Sequence, residues 1–166
     1  MFRKGDTVVH PEHGAAVIEE LREREFLGEV RTYLVLRVAY GDLTLMVPED
    51  NTEEVGLRKV MSKAQVKKVL DVLKEDETSM AANWSRRFKL NMEKLHSGDP
   101  MQVAEVLRNL SIREREKGLS AGEKRMVTKA RQILISELAH STGGTEDEAE
   151  AMIGRASCRE RVFRTV

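Results

Sequence analysis

The sequence has little cysteine, few aromatic residues and no long apolar run. Its single cysteine, Cys158, cannot form an internal disulfide, which favours the reducing cytoplasm over an oxidising compartment. No apolar run approaches the roughly 18 residues that a membrane span needs, and no charged segment followed by an apolar one opens the chain. We therefore expect a cytoplasmic protein that is neither inserted in a membrane nor secreted.

The chain does contain enough apolar residues for a core, and its charge is divided unevenly along its length. It has 166 residues, of which 40% are hydrophobic, so it is long enough for one ordinary domain or two small ones. The net charge of zero combines −4 over residues 1–61, +5 over residues 62–140 and −1 over residues 141–166. This division indicates two modules with different partners, and the basic middle is the candidate for binding a polyanion.

The first module, residues 1–61, has the period-two pattern of short strands. The runs TVVH, AAVIEEL, TYLVLRV, LTLMV and EVGLRKV are rich in β-branched residues and are separated by turn residues. Gly14, Gly28 and Gly41 would fall inside any helices assigned here, which disfavours a helical interpretation. The pattern predicts five short strands in a small antiparallel barrel or a strongly bent sheet.

The second module, residues 62–140, changes to the period of a helix. Apolar residues recur there at spacings of three and four, and cap residues divide the stretch into four helices. The predicted starts are a capping box at Ser62 and Gln65, an N-cap at Ser85, Asp99 before Pro100, and a second capping box at Ser120 and Glu123. These signals predict a compact all-helical bundle, and thus a two-domain α+β protein.

The last stretch, residues 141–166, is expected to contribute nothing to the fold. STGGTEDEAE has the Gly, Thr and acidic composition of a disordered segment. RASCRERVFRTV is abruptly rich in arginine and lacks an apolar helical face, so we interpret it as an addition foreign to the natural chain. The prediction is a disordered tail without a functional role.

No residue pattern predicts catalysis, a cofactor or a metal site. His10 and His13 are close in sequence, but a metal site needs three or four ligands, and His96 and His140 belong to the other module. GLSAGEKR superficially resembles a phosphate-binding loop, yet its spacing is wrong and it joins two helices. Because no paired nucleophile and base are visible either, we expect a binding protein and not an enzyme.

The only tryptophan, Trp84, lies beside a cationic cluster in NWSRRFKLN. In one interpretation its ring packs over the bundle near Phe88, while Arg86 and Lys89 form a solvated face. In the other, Ser85 is the N-cap and Trp84 lies just outside the positive end of the helix. There it would insert at an unstacked base step whose phosphates the cations hold. Composition leaves these two interpretations level.

Residues 2–139 resemble the CarD family of bacterial transcription regulators. The segments that carry the resemblance are GDTVVHPEHGAA, EVRTYLVLRVAYGDLTLMVP, NWSRRFKLNMEKLHSGD, VAEVLRNL and GLSAGEKRMVTKARQILISELA. The resemblance implies a Tudor-like first domain, similar to the RNA polymerase interaction module of transcription-repair coupling factors, which in that family binds the polymerase β subunit. Arg24 matches a position that the family uses for this contact, whereas Met46 stands where the family's basic residue is expected.

The resemblance also implies a role for the helical domain, which in this family meets promoter DNA at the upstream edge of the melted −10 region. Trp84 matches the family's wedge tryptophan, Arg86 and Lys89 match its neighbouring DNA-contacting cations, and Lys124 is a weaker candidate. We therefore expect a monomer that binds polymerase holoenzyme with the housekeeping sigma factor and stabilises the open promoter. The alternative is a polymerase-binding adaptor in which Trp84 anchors another protein.

Overall fold

The computed structural model describes residues 2–39 and 41–163, and it has five strands as predicted, although only Arg58–Lys59 of the predicted strand EVGLRKV is extended and its first two residues belong to a helix. These are β1 (Thr7–His10), β2 (Gly14–Phe26), β3 (Glu29–Val38), β4 (Thr44–Pro48) and β5 (Arg58–Lys59). They pair antiparallel in one sheet of order β4-β3-β2-β1-β5. The edge strands are therefore β4 and β5, and β4 is the longer of the two.

One face of the sheet carries the first of two hydrophobic cores. Ile18, Leu34 and Leu36 are fully buried on this face, in agreement with the alternation of apolar and polar residues along each strand. The register of β2 shifts at a bulge between Ile18 and Glu20, after which Leu21 lies opposite Leu34. Paired residues share a face of the sheet, so this register decides which side chains of β2 and β3 point outward.

The β2–β3 hairpin extends beyond the strands on both sides of it. β1 pairs with β2 only over residues 14–17, and β4 pairs with β3 only over residues 33–37. Leu27 and Gly28 form the two-residue turn at the tip, and both have the positive φ that such turns require. The arm that results carries exposed residues on both strands from Leu21 to Arg31.

Most of the helices follow the strands in sequence, in the part of the chain where apolar residues recur with the 3.6-residue period of a helix. A short helix, α1 (Thr52–Val55), precedes β5, and α2 (Lys63–Lys74), α3 (Trp84–His96), α4 (Pro100–Glu116), α5 (Ala121–Thr142) and α6 (Glu146–Phe163) follow it. The capping box of Ser62 and Gln65 is present, and Asp99 caps α4 ahead of Pro100. Ser120 caps α5 by accepting from the Glu123 backbone N–H, and its hydroxyl donates to the Glu123 carboxylate.

The predicted disordered tail is wrong for the residues that the structure describes. After Gly143, whose positive φ ends α5, the acidic residues open α6, where their charge stabilises the positive end of a helix. Ala149, Ile153 and Ala156 lie four and three residues apart and are buried against α2 and α5. The buried face of α6 consists mostly of alanine. The segment therefore contains few large apolar residues, and its composition resembles that of a disordered segment.

The sheet packs directly on α5. The Ala15 backbone N–H donates to the Ser136 hydroxyl at 3.0 Å, and a Cβ on Gly14 would lie 2.5 Å from that same oxygen. The approach therefore requires glycine, which also has φ 75° there. Within residues 2–39 and 41–163, no helix is both long and apolar enough to cross a membrane.

Candidate nucleic-acid interface

Helix α3 begins at Trp84, two residues earlier than the sequence predicted. The N-cap is Asn83, whose side-chain oxygen accepts from the Arg86 backbone N–H at 3.1 Å, so the predicted Ser85 cap is wrong. Asparagine and serine are about equally good N-caps, and both flank this tryptophan. The Asn83 cap places Trp84 inside the first helical turn, where it faces the residue four positions later.

The ring of Trp84 is packed on one side and open on the other. It stacks on Phe88 with ring centroids 5.1 Å apart and planes 25° apart, as the packed interpretation predicted. Phe88 in turn lies against Gly122 of α5, where a Cβ would be 3.0 Å from the ring. Trp84 nevertheless remains 47% exposed, so its indole is a surface group on a packed base.

A hydrogen bond from a second helix fixes the polar edge of the indole. The Trp84 Nε1–H donates to the Ser120 hydroxyl, the N-cap of α5, at 3.0 Å. The sequence identifies Ser120 only as a helix cap, because the contact spans 36 residues and no local pattern reports it. Trp84 is therefore held both by a ring on its own helix and by a hydroxyl from α5.

Arg87 belongs to the core and not to the exposed cationic cluster. Its guanidinium donates to the two carboxylate oxygens of Glu123 at 3.2 and 3.3 Å, and both side chains are buried. Burial would raise the pKa of Glu123, but the hydrogen bonds and charge of Arg87, with the Ser120 hydroxyl, hold this pKa below its ordinary value. The ion pair ties the first turn of α3 to the first turn of α5.

The three cations predicted for DNA are all exposed, and they lie on the two helices whose first turns meet at Trp84. Arg86 and Lys89 lie on α3, and Lys124 lies in the first turns of α5. Within the described residues none of these three side chains forms an ion pair or a side-chain hydrogen bond. Their charges are therefore available to an anion, in contrast to that of Arg87.

The two residues predicted to contact polymerase share one face of the sheet. Met46 lies opposite Val35 on β3, and Arg24 lies opposite Arg31, an even number of residues from Val35. Met46 is half-buried, whereas Arg24 is exposed on the hairpin arm. This is the outer face, opposite to the face that carries Leu34.

Arg24 differs from the other arginines of this outer face. Arg22 pairs with Glu20, Arg31 with Glu29 at 3.6 Å, and Arg37 with Glu19 at 3.2 Å; Arg24 has no such partner within the part of the chain that the structure describes. A carboxylate on a partner can therefore bind Arg24 without breaking an existing ion pair.

The chain thus combines a sheet module that has an exposed arm with a helical module that carries an exposed tryptophan and three cations without ion pairs among the described residues. Comparison with known proteins identifies the family to which the chain belongs. Residues 2–61 match the family described as the CarD-like/TRCF RID domain, and residues 68–154 match the CarD C-terminal domain. The chain belongs to the CarD family of transcription regulators, which is not a class of enzymes.

A curated relative supports the same assignment. The chain is 35% identical over 151 residues to the Bacillus subtilis (strain 168) protein named "Putative transcription factor YdeB", and the match covers 91% of this chain and 99% of that protein. The match to the CarD C-terminal domain extends to residue 154, which includes the first half of α6. The beginning of α6 is thus part of the family domain. The first domain's family implies interaction with RNA polymerase.

Proposed function

We propose that the protein binds RNA polymerase and stabilises the open promoter by inserting Trp84 into the minor groove at the upstream edge of the melted −10 region. The observation that carries this proposal is the half-exposed indole, held by contacts from two helices that also carry three exposed cations without ion pairs among the described residues. Proteins that hold distorted DNA commonly insert an apolar side chain at a base step and place cations on the phosphates. The site has both components.

Arg86, Lys89 and Lys124 are the side chains proposed to contact phosphates on either side of the wedge. Binding a phosphate would break no ion pair at any of the three among the described residues. The first turn of α3 adds the positive end of a helix, which favours an anion at the same place. Because the cations are few, affinity for free DNA is weak.

The sheet supplies the attachment to polymerase in this proposal. The partner surface is on the β subunit, and the mode is addition of a strand at the edge formed by β4. Arg24 contributes the free charge, while Met46 replaces charge with an apolar contact on the same face. Tethering by a cytoplasmic monomer at the polymerase raises the local concentration of Trp84 at the promoter, which compensates for weak affinity.

Whether the protein favours the open or the closed promoter depends on which of the two states Trp84 binds more tightly. Unstacking one base step costs about a few kcal/mol, and in a promoter opened by polymerase this step is already unstacked. A wedge therefore has more favourable contacts with the open state than with the closed duplex. Since a ligand shifts an equilibrium only by its differential affinity, bubble collapse slows.

An adaptor function is the second candidate, and one observation favours it. Leu90, on the same helix as Trp84, is 40% exposed, so α3 presents two large apolar side chains that could anchor a protein. In that case Trp84 would bind a further protein while the sheet binds polymerase. The two functions differ in whether promoter DNA alone is sufficient.

The test uses only polymerase holoenzyme, a promoter with a short-lived bubble and the purified full-length protein. A fluorescent base analogue in the −10 region reports the fraction of promoter that is open. Addition of the protein is expected to raise this fraction, and Trp84→Ala is expected to lose most of the increase. If the fraction rises only after another cellular protein is supplied, the adaptor function replaces the wedge.

A further inference from the structure

The wedge requires an indole that is ordered while exposed. A half-exposed side chain in the first turn of a helix would ordinarily exchange between rotamers, and fixing it on binding would cost conformational entropy. Stacking on Phe88 holds one ring face but does not stop the ring from sliding over its neighbour. A directional bond at the ring edge is the contact that fixes its orientation, and Ser120 supplies it.

The Ser120 hydroxyl uses its whole hydrogen-bonding capacity at this position. It accepts from Trp84 Nε1 at 3.0 Å and from the Glu123 backbone N–H at 3.2 Å, and it donates to the Glu123 carboxylate at 3.1 Å. A serine hydroxyl has one donor and two acceptor sites, so all three are occupied. An oxygen with three partners on two helices has little freedom to move.

The series of hydrogen bonds that starts at Trp84 on α3 leads through α5 and returns to α3. Glu123 is held by the guanidinium of Arg87, and Arg87 lies three residues after Trp84 on α3. Trp84, Ser120, Glu123 and Arg87 thus form a ring of hydrogen bonds and backbone that joins the starts of α3 and α5.

Resting on the proposed function, we infer that Ser120 is the positioning residue of the wedge, which holds the Trp84 indole ready for insertion through the hydrogen-bonded ring with Glu123 and Arg87. Ser120 itself touches no DNA in this arrangement. Its contribution is to order Trp84 before the promoter opens, so that less entropy is lost when the ring binds.

The main difficulty for a test is that Ser120 also caps α5. Ser120→Ala removes the cap and the indole acceptor together. Ser120→Gly removes the indole acceptor while keeping a residue that is nearly as good an N-cap, and Ser120→Thr keeps the hydroxyl. Ser62→Ala is the matched control, because it deletes the cap hydroxyl of α2 at a place without an indole.

Two readouts separate positioning from folding. In the free protein, the time-resolved fluorescence anisotropy of Trp84, the chain's only tryptophan, reports the motion of the indole. We expect faster local motion in Ser120→Gly and Ser120→Ala, and unchanged motion in Ser120→Thr and Ser62→Ala. With polymerase and promoter, the gain in open-complex lifetime is expected to fall about two- to tenfold in the first two variants, the factor of one ordinary hydrogen bond.

The inference is overturned if Ser120→Gly keeps the full gain in lifetime, or if Ser62→Ala loses as much as Ser120→Gly does. It is also overturned if the indole moves no faster without the hydroxyl. Failure of the proposed function gives a different result: Trp84→Ala would then keep the full gain. In that case Ser120 has no wedge to position, even if it still orders the indole in the free protein.

Discussion

Arg58 and Glu137 form a bidentate ion pair that joins the sheet to the helical bundle. The Arg58 Nη2–H donates to Glu137 Oε2 at 2.7 Å, its Nη1–H donates to Oε1, and Oε1 also accepts from the Met61 backbone N–H at 2.9 Å. Glu137 is fully buried in the second half of α5. Because α5 also provides Ser120, one helix connects the proposed polymerase-binding face with the support of Trp84.

Arg58→Met is expected to destabilise the protein by about 3 kcal/mol, because it leaves the buried Glu137 carboxylate without its charge partner. Arg37→Met is the control: Arg37 forms an ion pair with Glu19, but on the surface, and we expect a change of about 0–1 kcal/mol. Denaturant unfolding measures both. Equal changes in the two variants would show that the Arg58 pair contributes no more than a surface pair.

The lowered pKa of Glu123 predicts a specific loss of stability in acid. A group whose pKa is lower in the folded state stabilises the fold above its unfolded-state pKa, here about 4.5, and this stabilisation is lost as pH falls through the folded-state pKa. Glu123→Gln removes the titration and leaves Arg87 buried without a charge partner, so the variant is less stable at neutral pH. Its unfolding free energy should also decline less steeply below about pH 4.5.

Unfolding free energy measured from about pH 6 to pH 3 checks this behaviour. Glu114→Gln serves as the control, since Glu114 is an exposed carboxylate on the neighbouring α4. Parallel pH profiles for wild type and Glu123→Gln would mean that the Glu123 carboxylate does not titrate with unfolding.

Arg24→Glu is expected to weaken binding to RNA polymerase by at least about tenfold, because it places a negative charge where the free cation is proposed to meet a carboxylate. Arg37→Glu changes the charge equally on the same face of the sheet, but at a residue already paired with Glu19. Binding of the labelled protein to polymerase core enzyme, measured at two salt concentrations, compares them. An equal loss in both variants would indicate a general charge effect and no contact at Arg24.

Arg86→Ala and Lys89→Ala are each expected to weaken DNA binding in the polymerase complex across promoter sequences. Each phosphate contact that is lost should reduce the slope of log affinity against log salt by about 0.9. Lys67→Ala is the control, because Lys67 is an exposed lysine on α2, a helix that contains none of the wedge residues. An unchanged salt slope in both α3 variants would remove these cations from the interface.

Local signals predicted those parts of the molecule that depend on local interactions. The strands follow from alternation, and the caps at Ser62, Asp99 and Ser120 follow from residue type and spacing, because each bond joins residues two or three positions apart. Asn83 and Ser85 are equivalent by these criteria, so the sequence could not decide between them. The α6 face is made of alanines and one isoleucine, which gives too weak a periodicity to detect.

Contacts between residues far apart in sequence could not be predicted from local patterns. Arg58 pairs with a carboxylate 79 positions away, and Trp84 donates to a hydroxyl 36 positions away. Arg86 and Arg87 are adjacent residues of the same type, yet Arg87 is buried against Glu123 and Arg86 is exposed. The sequence and its family resemblance identified the candidate residues of the proposed wedge, whereas only the fold separates supporting residues from exposed ones.

The most direct measurement is the lifetime of the open complex at one unstable promoter after addition of a competitor that traps free polymerase. Wild-type protein is expected to lengthen the lifetime by about tenfold, which corresponds to about 1.4 kcal/mol of preferential binding to the open state. Leu90→Ala, a truncation of the other exposed apolar residue on α3, should keep this gain, and Trp84→Ala should return the lifetime close to that of polymerase alone. A full gain with Trp84→Ala would contradict the wedge.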